Sequence, residues 1–217
     1  MEKASRRLYA WLAFSAFFGL ALSLVLSALN IDAVVIKDQT LFHQDTASIR
    51  IFGFFSYFTI WSNIVVVIVG LSVWRKRTTY KYFQTLVAAG LIMITVTGLV
   101  YNLVLLPAFP PKGWYWLTST LMHVIAPIFY NYLWFTRGPR GAIAKSHSLQ
   151  ILGISIIYLC YTLVRGLAIK QWPYKFLDLT SEGLLMWIIG VSIIFGFGFA
   201  LIAMYSKIDR KRSLASN

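Results

Sequence analysis

The sequence has a single cysteine and little charge. Cys160 has no second cysteine to pair with, which excludes an internal disulfide framework. Charged residues make up 12% of the 217, against roughly 25% in a soluble domain, too few to coat an ordinary water-facing surface. Only seven residues are acidic, and none of them falls inside an apolar run long enough to cross a bilayer. Neither Cys160 nor His123 has companions at metal-ligand spacing, so no metal is expected. No glycine-rich phosphate loop occurs either, and no cofactor is expected. Low-complexity tracts and internal repeats are missing. Disorder is excluded by the 17% of aromatic residues.

What the chain does have is apolar residues, 59% of the total, with a mean hydropathy of +0.70. Six runs reach the ~20 residues needed to cross a hydrocarbon core of ~30 Å. They are Leu8–Asn30, Ile51–Trp74, Thr85–Leu106, Tyr115–Phe135, Ser148–Ile169 and Leu184–Ser206. They leave no room for a separate soluble domain. The expected fold is therefore all-α: an integral membrane protein forming one domain over residues 1–217, a bundle of six transmembrane helices. Runs such as IVVVIVGLSVW do not alternate in polarity, which excludes a membrane β-barrel. The first run exceeds the ~7–15-residue core of a signal peptide and is read as a retained helix.

Basic residues set the direction of the spans. One side holds Lys3, Arg6 and Arg7, then Arg75, Lys76, Arg77 and Lys81. It also holds Arg137, Arg140 and Lys145, and finally Lys207, Arg210, Lys211 and Arg212. The other side holds Lys37, Arg50, Lys112, Lys170 and Lys175. Both termini are thus expected in the cytoplasm. The net charge of +13 follows from this topology, so membrane lipids, and not nucleic acid, are the expected partners. The longer outer stretches are Ile31–Arg50, Pro107–Gly113 and Lys170–Gly183. Trp114, Trp116 and Trp172 mark the outer boundary, and Trp74 and Trp134 the inner one, as interfacial anchors.

Polar residues inside a bilayer are expensive, and their positions are informative. Of the three histidines, His43 and His147 fall in loops, and His123 lies deep in the fourth run. Counted from the outer ends of their runs, Thr59 and His123 each lie eight residues in, or ~12 Å at 1.5 Å per residue. Ser56, Thr59 and Asn63 share a helix face, with Ser62 beside them. Asn102 lies near the outer end of the third run, Arg165 near that of the fifth, and Asp178 in the loop beyond. Pro127 has no N–H to offer the carbonyl of His123, which frees an acceptor and bends the helix beside the imidazole. The competing reading of Ser, Thr and Asn here is interhelical hydrogen bonding. Arg165 can snorkel or brace the fifth helix by pairing with Asp178. The FGFGF of Phe195–Phe199 reads as a close-packing face.

FFSYFTIWSN (Phe54–Asn63), TGLVYN (Thr97–Asn102), LMHVIAP (Leu121–Pro127), YTLVRG (Tyr161–Gly166) and WPYKFLD (Trp172–Asp178) occur in that order. Together they resemble the androgen-induced-gene (AIG-type) membrane protein family, in its bacterial Pr-six-Pr branch, over residues 5–210. The resemblance implies a bacterial cytoplasmic membrane protein. Animal members of the family hydrolyse fatty acid esters of hydroxy fatty acids with a Thr nucleophile and a His partner. Those residues fall on Thr59 and His123. Where animal members carry an Asp shortly after the Thr, this chain has Ser62 and Asn63.

The expected chemistry is ester hydrolysis in the outer half of the bilayer. His123 acts as general base and Thr59 as nucleophile, through an acyl-enzyme on a fatty acyl ester. Asn63 and Asn102 are the candidate oxyanion donors. Ser56, Ser62, Arg165 and Asp178 complete the expected binding site. No intramembrane carboxylate can orient His123, so the expectation is a dyad. The alternative is a transporter or lipid-binding protein using the same polar cluster, although transporter sites favour the midplane and repeated halves.

Overall fold

The computed structural model describes residues 3–31, 46–141, 143 and 145–214, without the side chains of 145–149. Most of the expected outer loop Ile31–Arg50, with Lys37 and His43, lies outside the described residues, as does the His147 side chain. Among the described residues every regular element is helical. Helix α1 is Lys3–Leu29, α2 is Ala47–Phe54 and α3 is Phe58–Trp74. Helix α4 is Phe83–Ala108, with one π turn at Tyr101–Leu105. Helix α5 runs continuously through Trp114–Thr120, a π turn at Leu121–Ile125, and Ala126–Arg137. Helix α6 is Lys145–Ile169, and α7 is Leu179–Leu214 with non-helical backbone at Gly183, φ +78°.

Among the described residues four helical stretches are long and apolar enough to cross a membrane: Lys3–Leu29, Phe83–Ala108, Gln150–Ile169 and Leu179–Leu214. The pair α2–α3 makes a fifth if, despite a 69° bend, it acts as one span. Helix α5, over the expected Tyr115–Phe135 run, is not among them. Its Trp, Tyr, Thr, Ser, His and Asn side chains dilute the apolar character that the other runs keep. The chain is an integral membrane protein on this evidence. Its outer surface agrees: Leu103 is 72% exposed, Ile128 66% and Leu185 70%, side chains that want hydrocarbon around them.

Two compact units can be described, Met1–Pro139 and Arg140–Asn217. In the first, α1 runs antiparallel to α3. Gly70 permits the approach, since a Cβ there would stand 2.7 Å from the Tyr9 carbonyl oxygen. Small residues serve this purpose where apolar lipid gives helices no hydrophobic drive to associate. Helix α4 is enclosed, with almost every side chain from Val87 to Gly98 buried. Its antiparallel crossing with α5 is equally close, because a Cβ on Gly98 would meet Pro127 at 2.8 Å. The Tyr130 hydroxyl donates to the Val87 carbonyl at 2.9 Å. Arg50 closes the far end of α1 by donating to the carbonyls of Ser27 (3.0 Å) and Ala28 (2.8 Å), orphan acceptors at a helix C-terminus.

In the second unit, α7 grips the main chain of Ile143. Asp209 Oδ2 accepts from its N–H at 3.0 Å, and the Ser206 hydroxyl donates to its carbonyl at 3.1 Å. Trp172 lies across Gly166, where a Cβ would collide with the indole.

Three expectations about apolar residues change. Trp134 and Trp172 are buried, whereas Trp74, Trp114 and Trp116 are exposed, and a buried indole offers no ring to a head-group layer. A Cβ on Gly196 or Gly198 would meet nothing within 4 Å, so Phe195–Phe199 is not a close-packed face among the described residues. The run Ile51–Trp74 is not one straight helix. FGFFSYF is rich in residues that are indifferent helix formers, and the turn stops after Phe54. The freed carbonyl of Phe55 is taken by the indole N–H of Trp61 at 2.9 Å.

Candidate functional site

The break at residues 55–57 puts Thr59 in the first turn of α3, so its depth is not the sum of a continuous rise from Ile51. Around it Phe54, Ile60 and Met122 form a small apolar core, with Leu20, Leu24, Tyr57 and Trp61 packed against it. Across that core lies the π turn of α5. Pro127 cannot donate to the carbonyl of His123, and the wider turn absorbs the misfit.

The π turn aims the imidazole at α3. His123 Nε2 stands 3.1 Å from Thr59 Oγ1, and His123 Nδ1 stands 3.0 Å from the carbonyl oxygen of Ser119. A carbonyl only accepts, so Nδ1 carries the hydrogen and Nε2 presents its lone pair. Thr59 O–H therefore donates to Nε2. That tautomer is inferred from the hydrogen-bond network, and it is the one a general base needs. His123 is buried while Thr59 is only partly so.

A second π turn faces the first. Tyr101, at the start of the α4 π turn, stacks on the His123 ring with centroids 3.7 Å apart and planes 17° from parallel. Asn102, next along, donates to the His123 carbonyl at 2.8 Å and to the Gly98 carbonyl at 2.7 Å. The acceptor that Pro127 frees is thus satisfied from the neighbouring helix.

Asn63 behaves in the same way. Its Nδ2 donates to the carbonyls of Thr59 (2.9 Å) and Met122 (3.3 Å). Both hydrogens of each amide are already committed, so neither Asn63 nor Asn102 has one left for an oxyanion. Asn63 Oδ1 is buried and accepts nothing among the described residues. Ser62 donates to the Thr59 carbonyl at 2.9 Å and lies 2.8 Å from Thr97 Oγ1, tying α3 to α4. Ser56 is buried in the break, its hydroxyl 3.5 Å from the Phe52 carbonyl.

Thr59, His123, Ser62, Asn63 and Asn102 are therefore brought together, with Ser56 in the adjoining break. Arg165 and Asp178 belong to the other unit, where each has local partners. Arg165 donates to the carbonyl and side-chain oxygens of Gln171 at 3.0 and 3.1 Å. Asp178 Oδ1 caps the start of α7, accepting from the N–H of Thr180 (2.9 Å) and of Ser181 (3.0 Å). Burial of Asp178 opposes its ionisation, but the hydrogen bonds from Ser181 and Thr180 outweigh it and hold the carboxyl below its ordinary value.

Sequence reasoning does not reach Tyr101, Thr97 or the Ser119 carbonyl. Tyr101 and Thr97 sit inside the TGLVYN segment and could have been drawn in by their closeness to Asn102. The Ser119 carbonyl carries no side-chain signal. Among the described residues no group of three or more His, Cys, Asp or Glu could hold a metal ion. No protein-family description, curated protein or solved structure matches this chain.

Proposed function

We propose that this chain is an intramembrane hydrolase of lipid esters, with Thr59 as nucleophile and His123 as general base. The observation that carries the reading is the pair Thr59 Oγ1–His123 Nε2 at 3.1 Å, with Nδ1 committed to a carbonyl. A threonine hydroxyl is a weak nucleophile without such a base.

The steps balance as follows. Nε2 takes the Thr59 proton as Oγ1 bonds to the ester carbonyl carbon. Nε2–H then protonates the departing alkoxide as the ester C–O bond breaks, leaving an acyl-threonine. Water attacks that acyl group, giving a proton to Nε2, which returns it to Thr59 Oγ1 as the fatty acid leaves. The Ser119 carbonyl holds the ring through Nδ1–H, in the place a carboxylate takes in a triad. With both Asn amides engaged and the Ile60 N–H donating to the Tyr57 carbonyl at 3.0 Å, the main-chain N–H of Thr59, in the first turn of α3, is the better oxyanion donor.

The membrane arrangement belongs to the same reading: six spans, α2–α3 and α5 included, both termini cytoplasmic, in a bacterial cytoplasmic membrane. Support comes from the one-sided distribution of Lys and Arg and from the length of α5. The AIG-type resemblance supports a fatty acyl ester as substrate.

The test is fluorophosphonate labelling of purified protein followed by peptide mapping. The expected label sits on Thr59 and disappears in Thr59→Ala and in His123→Ala while helicity is retained. Unlabelled wild-type protein that leaves esters intact but binds lipid saturably would replace this reading with that of a lipid-binding protein.

A further inference from the structure

A second feature lies at the opposite end of α3, independent of the hydrolase reading. Where α1 begins and α3 stops, a groove of about 310 Å3 is lined by Arg7, Ala10, Trp11, Phe14 and Trp74. Its walls are aromatic and held in place. Trp11 and Phe14 meet edge to face with centroids 6.0 Å apart. Arg6 Nε donates to the Trp74 carbonyl at 3.2 Å, and the Arg75 guanidinium sits 5.8 Å from the Trp74 ring centroid. Arg7 is exposed and takes part in no hydrogen bond or ion pair among the described residues.

No carboxylate on the described first unit balances these cations. From Thr46 to Leu177 the chain contains no Asp or Glu. Lys3, Arg6 and Arg7 meet Arg75, Lys76 and Arg77 at this end of the antiparallel pair, so its field is positive. An apolar slot with an unengaged guanidinium at its rim fits an amphiphile with an anionic head. Arg suits phosphate oxygens through its planar fork of donors. Tryptophan suits the boundary between head groups and chains.

We propose that this groove binds one anionic phospholipid of the bilayer, its phosphate on Arg7 and the upper part of an acyl chain along Trp11 and Phe14. A zwitterionic lipid fits less well, because its ammonium comes up against Arg7 and Arg75. The volume accommodates the phosphate head and the first carbons, and the rest of the lipid stays in the hydrocarbon.

The test uses full-length protein in phosphatidylcholine vesicles and reads tryptophan fluorescence. Phosphatidylglycerol or phosphatidylcholine with brominated acyl chains is added at increasing mole fraction. Brominated phosphatidylglycerol is expected to quench a saturable component at low mole fraction, and brominated phosphatidylcholine is not. That component shrinks in Trp11→Phe and Trp74→Phe. Arg7→Gln raises the half-saturating mole fraction about fivefold, while Arg7→Lys recovers part of the loss. Equal, unsaturable quenching by both lipids overturns the proposal, and this result needs no variant. So does saturable quenching indifferent to Arg7→Gln. Competition by soluble glycerol phosphate would reassign the groove to a water-borne phosphate ester and also overturn it.

Discussion

Tyr101 lies flat against the imidazole of His123, with ring centroids 3.7 Å apart. The stack clamps the face of a ring whose two nitrogens are already committed, so rotation about χ2 is closed off. Tyr101→Phe keeps the stack and is expected to keep turnover. Tyr101→Ala frees the ring and is expected to lower kcat about three- to tenfold, in line with the worth of an aromatic pair. KM should change little. Ester turnover with purified variants checks it.

Removing the base should cost more than loosening it. His123→Ala is expected to lower kcat about 10²–10⁴-fold. Thr59→Ser should retain measurable turnover because it keeps the hydroxyl, whereas Thr59→Val should retain none above the background of protein lacking the base. Wild-type rates should fall in acid as the imidazole takes up a proton and stops accepting one from Thr59. Initial-rate pH profiles of the wild type and the three variants check these statements.

The α4–α5 crossing supports the site through Gly98. A methyl group there would stand 2.8 Å from Pro127 Cβ and 3.4 Å from the His123 carbonyl oxygen. Gly98→Ala is expected to force the helices apart, at about 1–3 kcal/mol of stability. It should also weaken both the Tyr101 stack and the Asn102 bond. Thermal unfolding in detergent, read beside turnover, should show both losses together.

Asn102→Leu separates stability from chemistry. It leaves the His123 carbonyl without its interhelical donor, in a helix where Pro127 supplies none. The expected cost is about 1 kcal/mol, seen as a lower unfolding midpoint. Turnover should persist, because neither Asn102 hydrogen is available to the substrate.

Asp178 gives a pH signature in the second unit. Its folded-state carboxyl titrates below the ordinary value of 3.8. Its contribution is therefore fully present above that value and lost as pH falls through the lower, folded one. The start of α7 should fray only in strong acid. Asp178→Ala should remove a cap worth about 1 kcal/mol, while Asp178→Asn should keep the cap and abolish its pH dependence. Hydrogen exchange at the Thr180 and Ser181 amides checks this.

The helices were legible because long apolar runs force the backbone to satisfy itself, and no other regular structure does that in lipid without closing a barrel. The bend ahead of Thr59 was not legible. FGFFSYF is apolar throughout, and apolarity is blind to where a turn stops. Pairing Thr59 with His123 was open to counting, since two parallel runs entered from the same side reach a common level after equal counts, although the bend ahead of α3 means that Thr59 does not lie at the end of a continuous rise. The roles of Asn63 and Asn102 were not, because an amide in a helix satisfies the carbonyl four residues back and one on the neighbour before it serves anything else. Arg165 and Asp178 were drawn together by opposite charge, yet Gln171 and the first amides of α7 lie nearer to hand.

The orienting partner of the imidazole is main chain, and this bears on how such a centre can arise and be lost. No codon change at position 119 deletes an oxygen that every amino acid carries. What can delete the alignment is a shift in frame along the helix. Removing Leu121 or Met122 would turn the ring some 100° away from its partner alcohol without altering Thr59 or His123. The alignment thus depends on residue count along that turn as well as on residue identity, and an insertion or deletion there is expected to abolish it.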